Sequence, residues 1–265
     1  MLIDSHSHID TEAFGTDRSE VLMRAASVGV HRQIVPAIAR SGWKKLGELC
    51  ADNPGLYPAF GLHPMFLAQH RVEHLDELAG LVEKRRPVAI GECGLDFFVD
   101  GLDRETQTMF FERQLELARD FDLPVVVHAR RAFDAVAACI RRIGKLRGVI
   151  HSFSGSTQQA EAFYKLDFML GIGGPATYPR AHRLRNLVAE MPGEFLLLET
   201  DSPDQPLSGH QGERNEPSRL RELLTVVAEL RNTSEEQTAL LTTTNAERLF
   251  KLPEFSQTQH PSAGR

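Results

Sequence analysis

The feature that most constrains the fold of this chain is a repeated alternation between two kinds of segment. Short runs of apolar and β-branched residues are separated by longer amphipathic segments that carry many charges. The segment Arg104–Phe121 shows the helical period clearly, because its apolar side chains form one stripe among charged residues. The runs that we predict as strands are eight: Leu2–Asp4, Gln33–Val35, Tyr57–Gly61, Val88–Gly91, Pro124–His128, Gly148–His151, Phe168–Ile172 and Phe195–Glu199.

Seven amphipathic segments lie between these strands, and two more follow the eighth strand. The predicted helices are Arg18–Val28, Gly42–Ala51, Val72–Arg85, Arg104–Phe121, Ala132–Arg142, Thr157–Leu166, Ala181–Glu190, Ser218–Arg231 and Ser234–Phe250. Strands that alternate with helices form βαβ units and hence a parallel sheet. Eight strands in 265 residues favour a closed (β/α)₈ TIM barrel, whose typical length is about 250 residues, over an open doubly wound sheet.

The chain shows no internal repeat, linker or break in composition, so we predict a single TIM-barrel domain over residues 1–253. Residues 254–265 are polar, and we expect them to form a frayed tail. Neither G-x-G-x-x-G nor a phosphate-binding loop motif follows any predicted strand, and Gly171–Gly174 lacks the required spacing. These patterns disfavour a dinucleotide-dependent enzyme.

Histidines and carboxylates stand where six of the predicted strands end. The carboxyl ends of all strands in a parallel barrel meet at one face, where TIM-barrel enzymes have their active sites. A single strand-end histidine is about as often structural as functional. If all of these residues were merely structural, their occurrence at six strand ends would be six independent coincidences. We therefore predict that they form one shared site. Its candidate residues are His6, His8, His63, Glu92, His128, His151 and Asp201.

Imidazole and carboxylate groups that converge in this way are typical of a metal site. His6 and His8 are two residues apart, and on an extended segment both point to the same side, so they form a pair for one ion. Asp201 can bind that ion while accepting a proton from water. These three residues are the predicted ligands of the first ion.

Glu92 has two carboxylate oxygens and can bridge two ions at the spacing of about 3.5–4 Å that two-metal hydrolysis requires. His128 and His151 come from neighbouring strands and can complete the shell of the second ion. We therefore predict two divalent ions per chain, with Glu92 and Asp201 as the catalytic residues. Imidazole ligands suit zinc or manganese better than magnesium, and the identity of the ion stays open between these metals.

Three further residues have weaker signals. His63, before Pro64, either contacts a substrate phosphate or braces its own loop. Arg130 follows His128 by two residues and either clamps an anionic substrate or begins a solvated helix. Glu199 lies two residues before Asp201, where supporting a ligand is a better interpretation than binding metal directly.

The charge balance excludes one class of partner. Acidic residues outnumber basic ones by 36 to 30, a net charge of −6, which argues against a globally basic nucleic-acid-binding protein but not against a nucleic acid held in a local pocket.

The three cysteines are far apart and fit neither a disulfide framework nor a cysteine zinc site. No segment resembles a signal peptide or a bilayer span. We expect a cytoplasmic protein with no membrane association and no obligate protein partner.

The motifs DSHSHID, GLHP, GECGLD, PVVVHAR, HSFSG, LLLETDSP and NEP occur in this order within residues 1–250. Together they resemble the TatD family of metal-dependent hydrolases, and its YjjV-type bacterial branch in particular. The resemblance implies a barrel with a two-metal site that uses the same six positions as above. It also implies 3′–5′ exonuclease or other DNase activity. The stretch GIGGPATYP departs from the commoner family pattern beside the barrel mouth, so the resemblance does not determine the substrate preference.

Phosphodiester hydrolysis, on DNA or on a smaller phosphoester, is thus the first functional hypothesis. An amidohydrolase, lactonase or deaminase is the second, because the same barrel and the H-x-H start suit those reactions equally. Against it, Glu92 occupies the position where many such enzymes carry a modified lysine. A binding or scaffold protein with a structural metal is the third hypothesis. It is disfavoured because structural zinc sites are usually closed and rich in cysteine.

Overall fold

The computed structural model describes residues 1–253, so the predicted tail 254–265 lies outside the described residues. Within residues 1–253, eight parallel strands follow one another in chain order around the sheet. They are β1 Leu2–Asp4, β2 Val30–Pro36, β3 Leu56–Phe60, β4 Ala89–Asp96, β5 Val125–Arg130, β6 Gly148–Ile150, β7 Phe168–Ile172 and β8 Leu196–Leu198. The Ser5 N–H donates to Leu198 O (3.0 Å) and the Asp201 N–H to His6 O (2.9 Å), which joins the two edges. The predicted (β/α)₈ barrel is confirmed.

The helices lie between the strands and after the last one, within two residues of the predicted bounds. They are α1 Arg18–Ser27, α2 Trp43–Asp52, α3 Glu73–Arg85, α4 Arg104–Asp120, α5 Phe133–Ile143, α6 Thr157–Tyr164, α7 His182–Glu190, α8 Leu220–Arg231 and α9 Glu235–Phe250. Ser156 and Ser234 begin α6 and α9 with capping boxes, in which each serine side chain accepts from the third helical N–H. None of the helices in residues 1–253 combines the length and the apolar character needed to cross a bilayer.

One side chain from each strand fills the lower part of the barrel. These eight are Ile3, Ile34, Ala59, Ala89, Val126, Val149, Met169 and Leu197. Ala246, Leu249 and Phe250 of α9 pack against them, so this helix covers the amino-terminal end of the barrel. Because side chains alternate along a strand, the next inward positions belong to the residues two further on. They form a second layer that contains Glu199 above Leu197, His128 above Val126 and His151 above Val149.

A bulge in β4 decides where Glu92 points. Simple alternation from the inward Ala89 would turn Cys93 into the barrel and Glu92 outward. The pairing with β5 shifts by one residue between Ile90 and Cys93. Both of these belong to the outer core between strands and helices. The extra residue therefore turns Glu92 toward the barrel mouth, as bulges beside active sites commonly do. Since β4 continues to Asp96, Glu92 lies inside the strand rather than at its predicted end.

Candidate metal centre

The two oxygens of Glu92 contact two different pairs of histidines. Its carboxylate is 1% exposed and lies at the centre of the mouth. Oε2 is 3.1 Å from Nε2 of His6 and 3.4 Å from Nε2 of His8. Oε1 is 3.1 Å from Nδ1 of His128 and 3.0 Å from Nε2 of His151. The structure thus brings these predicted ligands together with one carboxylate between them.

Asp201 lies on the His6 side of this carboxylate. Its Oδ1 is 3.6 Å from Nε2 of His6 and 3.7 Å from Nε2 of His8. Its other oxygen accepts a hydrogen bond from the side-chain amide of Gln205, a residue without a predicted role. All six predicted ligand positions therefore face one another around Glu92.

The spacing of the nitrogen atoms fits bound cations. Nε2 of His6 and Nε2 of His8 are 3.2 Å apart, and Nδ1 of His128 is 3.3 Å from Nε2 of His151. Two imidazole nitrogens on one tetrahedral zinc-like ion, each at 2.0–2.1 Å, would be about 3.3 Å apart. Pairs of nitrogen lone pairs that converge on one point repel each other unless a cation or a proton lies between them. The donor set and its geometry therefore fit an ion at each pair.

The electrostatics keep Glu92 ionised. Burial acts to raise its pKa, but the surrounding imidazoles of His63, His151 and His6, together with a hydrogen bond to His128, outweigh burial and hold the pKa well below its usual range. Burial also lowers the pKa of His6 well below its usual value, so this imidazole is neutral and can act as a ligand. Burial raises the pKa of Asp201 to about 6, although the positive charges of His151 and His8 oppose this.

Two carboxylates outside the ligand set orient the histidines. Asp96 Oδ2 is 3.0 Å from Nε2 of His128, which leaves Nδ1 to face Glu92. Glu199 is fully buried, accepts from the main-chain N–H of Ser152, and has Oε1 3.5 Å from Nδ1 of His151. Such partners fix the tautomer and the ring orientation of metal-binding histidines. Glu199 also forms, with His6 and His151, a set whose ligand atoms lie within 4.8 Å of one another. Its supporting role therefore stays a prediction. Asp96, the last residue of the GECGLD motif, had no predicted role.

His63 lies next to the centre and serves partly to brace its loop. Its Nδ1 accepts from the Met65 N–H (3.1 Å), so the neutral ring carries its proton on Nε2. Nε2 is 2.8 Å from Oε1 of Glu92. Burial lowers the pKa of His63 to about 4 against the opposing charge of Glu92, which keeps the ring neutral. The set His63, Glu92 and His128 has ligand atoms within 4.8 Å of one another, as does the set His6, His8 and Glu92.

A cavity of about 760 Å³ opens above these residues. Arg130 lines it two residues beyond His128 on β5, so both side chains belong to the inward face of that strand. Ile38, Met65 and Phe66 form an apolar part of the wall. An open cavity of this size beside the candidate ligands suits a catalytic centre rather than a closed structural one.

Residues 3–251 match the model of the family described as TatD related DNase. The chain belongs to the TatD family. It is 41% identical over 254 residues to the metal-dependent hydrolase YjjV of Escherichia coli K12, which covers 95% of this chain and 98% of YjjV. The crystal structure of YjjV matches with a TM-score of 0.92 over the same shares of both chains. The chain is also 33% identical to the 3′-5′ ssDNA/RNA exonuclease TatD of Pantoea sp. (strain At-9b), over 95% of this chain and 100% of that protein.

Membership of the TatD family makes this chain a metal-dependent hydrolase. The resemblance that the motifs indicated is confirmed, and so is the barrel that it implied. The H-x-H segment, Glu92, His128, His151 and Asp201 all reach the mouth of that barrel.

Proposed function

We propose that this protein is a divalent-metal-dependent phosphodiesterase that removes nucleotides from the 3′ end of DNA. The observation that carries the proposal is the division of the Glu92 carboxylate, with one oxygen at the His6–His8 pair and the other at the His128–His151 pair. Two ions held in this way match the arrangement that phosphodiester cleavage uses. A relative at 33% identity that is named as a 3′-5′ ssDNA/RNA exonuclease supports the choice of substrate.

In this proposal, residues 1–253 act as one hydrolase domain with two ions per chain. His6, His8, Glu92 and Asp201 hold the first ion, and Glu92, His128 and His151 hold the second. Bound divalent ions supply Lewis-acid polarisation of the phosphate and bring the pKa of a water molecule toward neutrality. Zinc and manganese suit the imidazole-rich ligand set, and magnesium is the third candidate.

The chain's own residues then orient and deprotonate the nucleophile. Asp201 holds the attacking water and accepts its proton, a role that fits a buried carboxylate beside the His6–His8 pair. His63 is neutral, and its Nε2–H lies 2.8 Å from Oε1 of Glu92. Once that oxygen holds an ion, the same N–H would donate to a phosphate oxygen of the substrate. Arg130, at the entrance of the cavity, binds a phosphate of the substrate. Apolar groups of Ile38 and Phe66 limit the access of other water to the mouth.

The experiment is incubation of metal-reconstituted protein with 5′-labelled single-stranded DNA in magnesium, manganese or zinc. We expect a ladder of products that shortens from the 3′ end. Asp201→Asn abolishes the ladder, whereas Asp167→Asn leaves it unchanged. Asp167 is a matched control because it shares the positive φ of Asp201 (61° and 53°) but is exposed between α6 and β7, at the opposite end of the barrel.

A parallel assay offers the same protein a cyclic amide and a lactone. Hydrolysis of either compound with the DNA left intact would overturn the proposal in favour of an amidohydrolase or lactonase. Products that lack a 3′-shortened series, such as internal fragments alone, would contradict the exonuclease assignment while keeping the phosphodiesterase.

A further inference from the structure

An exposed aromatic ring stands at the edge of the barrel mouth. Phe98 follows β4 and keeps 42% of its surface exposed. Its backbone is fixed, because the N–H groups of Phe98 and Val99 donate to Oδ1 of Asp96 over 2.9 and 3.0 Å. The Phe97 N–H donates to Arg130 O over 2.9 Å. The ring is therefore held against the strand ends that carry Glu92 and His128.

Two guanidinium groups lie on this ring. The central carbon of Arg130 is 3.7 Å from the ring centroid of Phe98, and that of Arg131 is 4.6 Å from it. Within residues 1–253 neither guanidinium forms an ion pair or a hydrogen bond with a protein group. Several other surface arginines are paired with carboxylates, such as Arg24 with Glu216 and Arg147 with Asp122. The guanidinium groups of Arg130 and Arg131 thus place two positive charges without a paired carboxylate on the ring of Phe98.

A cation–π pair on a protein surface is common and contributes only about 0.5–1 kcal/mol, so the contact alone indicates no function. Phe98 and its two arginines differ from such an ordinary surface pair in their position. Arg130 lines the cavity above the candidate ligands, and it lies two residues beyond His128 on the inward face of β5. Arg131 extends the positive charge from the cavity toward solvent. A chain with a net charge of −6 here presents a local cationic surface at the entrance of its candidate active site.

We propose that Phe98, Arg130 and Arg131, which we call the Phe98 cluster, form a subsite for a phosphate next to the scissile one in a single-stranded nucleic acid. This inference rests on the proposed function and adds the side chains that hold the strand beside the scissile phosphate. Guanidinium groups match phosphate oxygens with two hydrogen bonds. The ring of Phe98 holds them in place before the strand arrives, which lowers the entropic cost of ordering them.

The first test measures binding of a fluorescent phosphorothioate pentathymidylate to metal-loaded protein by anisotropy, since this probe keeps its charges and resists hydrolysis. Arg131→Gln is expected to reduce the slope of log affinity against log salt by about 0.7, the value for one phosphate contact on a single strand. Phe98→Leu, which removes the ring that holds the two guanidinium groups, is expected to weaken binding about two- to fivefold.

Arg86→Gln is the matched control. Arg86 lies over the ring of Phe121 at 5.9 Å, but it follows α3 and so stands at the opposite end of the barrel. This variant loses the same charge and the same type of contact and should bind like wild type. Equal slopes for wild type and Arg131→Gln, or equal losses in Arg131→Gln and Arg86→Gln, would overturn the subsite.

The second test compares kcat/KM for bis(4-nitrophenyl) phosphate, which has one phosphate, with kcat/KM for a hexanucleotide. We expect Arg131→Gln and Phe98→Leu to lower the value for the hexanucleotide about fivefold or more and to leave the small ester within twofold. Equal losses on both substrates would mean that the variants disturb the metal centre, which overturns the inference. If wild type cleaves neither substrate, the proposed function fails, while the salt dependence of binding still decides the subsite.

Discussion

Asp96 and His128 are joined by a hydrogen bond of 3.0 Å that determines which nitrogen of His128 faces Glu92. The carboxylate accepts from Nε2–H, so Nδ1 is left with a lone pair at 3.1 Å from Oε1 of Glu92. Asp96 is itself fixed by the N–H groups of Phe98 and Val99 and by Gln107 of α4. One carboxylate thus sets the tautomer of a candidate ligand and the backbone of the Phe98 cluster.

Asp96→Asn should weaken metal binding. The N–H groups of Phe98 and Val99 keep their acceptor, because the asparagine oxygen takes the place of Oδ1. The amide NH₂ then points toward Nε2 of His128. Since NH₂ is a donor, it favours the tautomer of His128 with the proton on Nδ1. We expect the affinity for one ion to fall about 10- to 100-fold, measured by competition with a chromogenic chelator. Asp103→Asn is the control, since Asp103 caps α4 and asparagine caps a helix about as well. Equal affinity in wild type and Asp96→Asn would contradict the orienting role.

His63→Phe distinguishes a substrate contact from a metal ligand. Phenylalanine retains an aromatic ring but offers no donor or acceptor, so we expect unchanged metal content and a kcat that is lower by about 10²-fold. Metal content is measured by elemental analysis and kcat on the DNA substrate. His74→Phe is the matched control, because His74 is also buried and accepts a main-chain N–H, from Arg71, on α3. Loss of an ion in His63→Phe would instead make His63 a ligand.

Gly171→Ala should damage the centre through Glu199. A Cβ at Gly171 would lie 2.0 Å from Oε2 and 2.6 Å from Cδ of Glu199, which is fully buried and has no room to move. Displacing Glu199 removes the support of His151, so we expect weaker metal binding and a loss of about 1–3 kcal/mol of unfolding free energy. Chelator competition and thermal unfolding measure the two effects.

Gly80→Ala is the control for this variant. Gly80 lies within α3, and a Cβ there meets no atom within 4 Å. We expect this change to stabilise the protein by about 0.5–1 kcal/mol and to leave metal affinity unchanged. A Gly171→Ala protein with wild-type metal affinity would show that Glu199 does not support the centre.

The sequence predicts the barrel well because the decisive signals are local. Each strand and helix is encoded by its own periodicity, and helix bounds such as Arg104–Asp120 differ from the prediction by a single residue. The convergence of His6, Glu92 and His151 follows from topology, since parallel strands bring their carboxyl ends together. The placement of the candidate ligands at one mouth therefore needed no tertiary information.

Other features depend on tertiary contacts that no local pattern records. The β4 bulge that turns Glu92 inward arises from the pairing with β5. The hydrogen bond of Gln205 to Asp201 comes from a loop without a periodic signal. The packing of Phe98 against two arginines joins the ends of β4 and β5. The one available sequence signal was the acidic residue that closes the GECGLD motif, which marks Asp96 as a partner for a strand-end histidine.

The metal content of wild type and of Glu92→Ala, determined by elemental analysis after dialysis, tests the central claim most directly. If the two oxygens of Glu92 serve two ions, wild type should retain about two divalent ions per chain, and Glu92→Ala should lose both tight binding and phosphodiesterase turnover. Thermal unfolding confirms that the variant is folded. A folded Glu92→Ala protein that retains two ions and wild-type turnover would contradict the bridging role of Glu92.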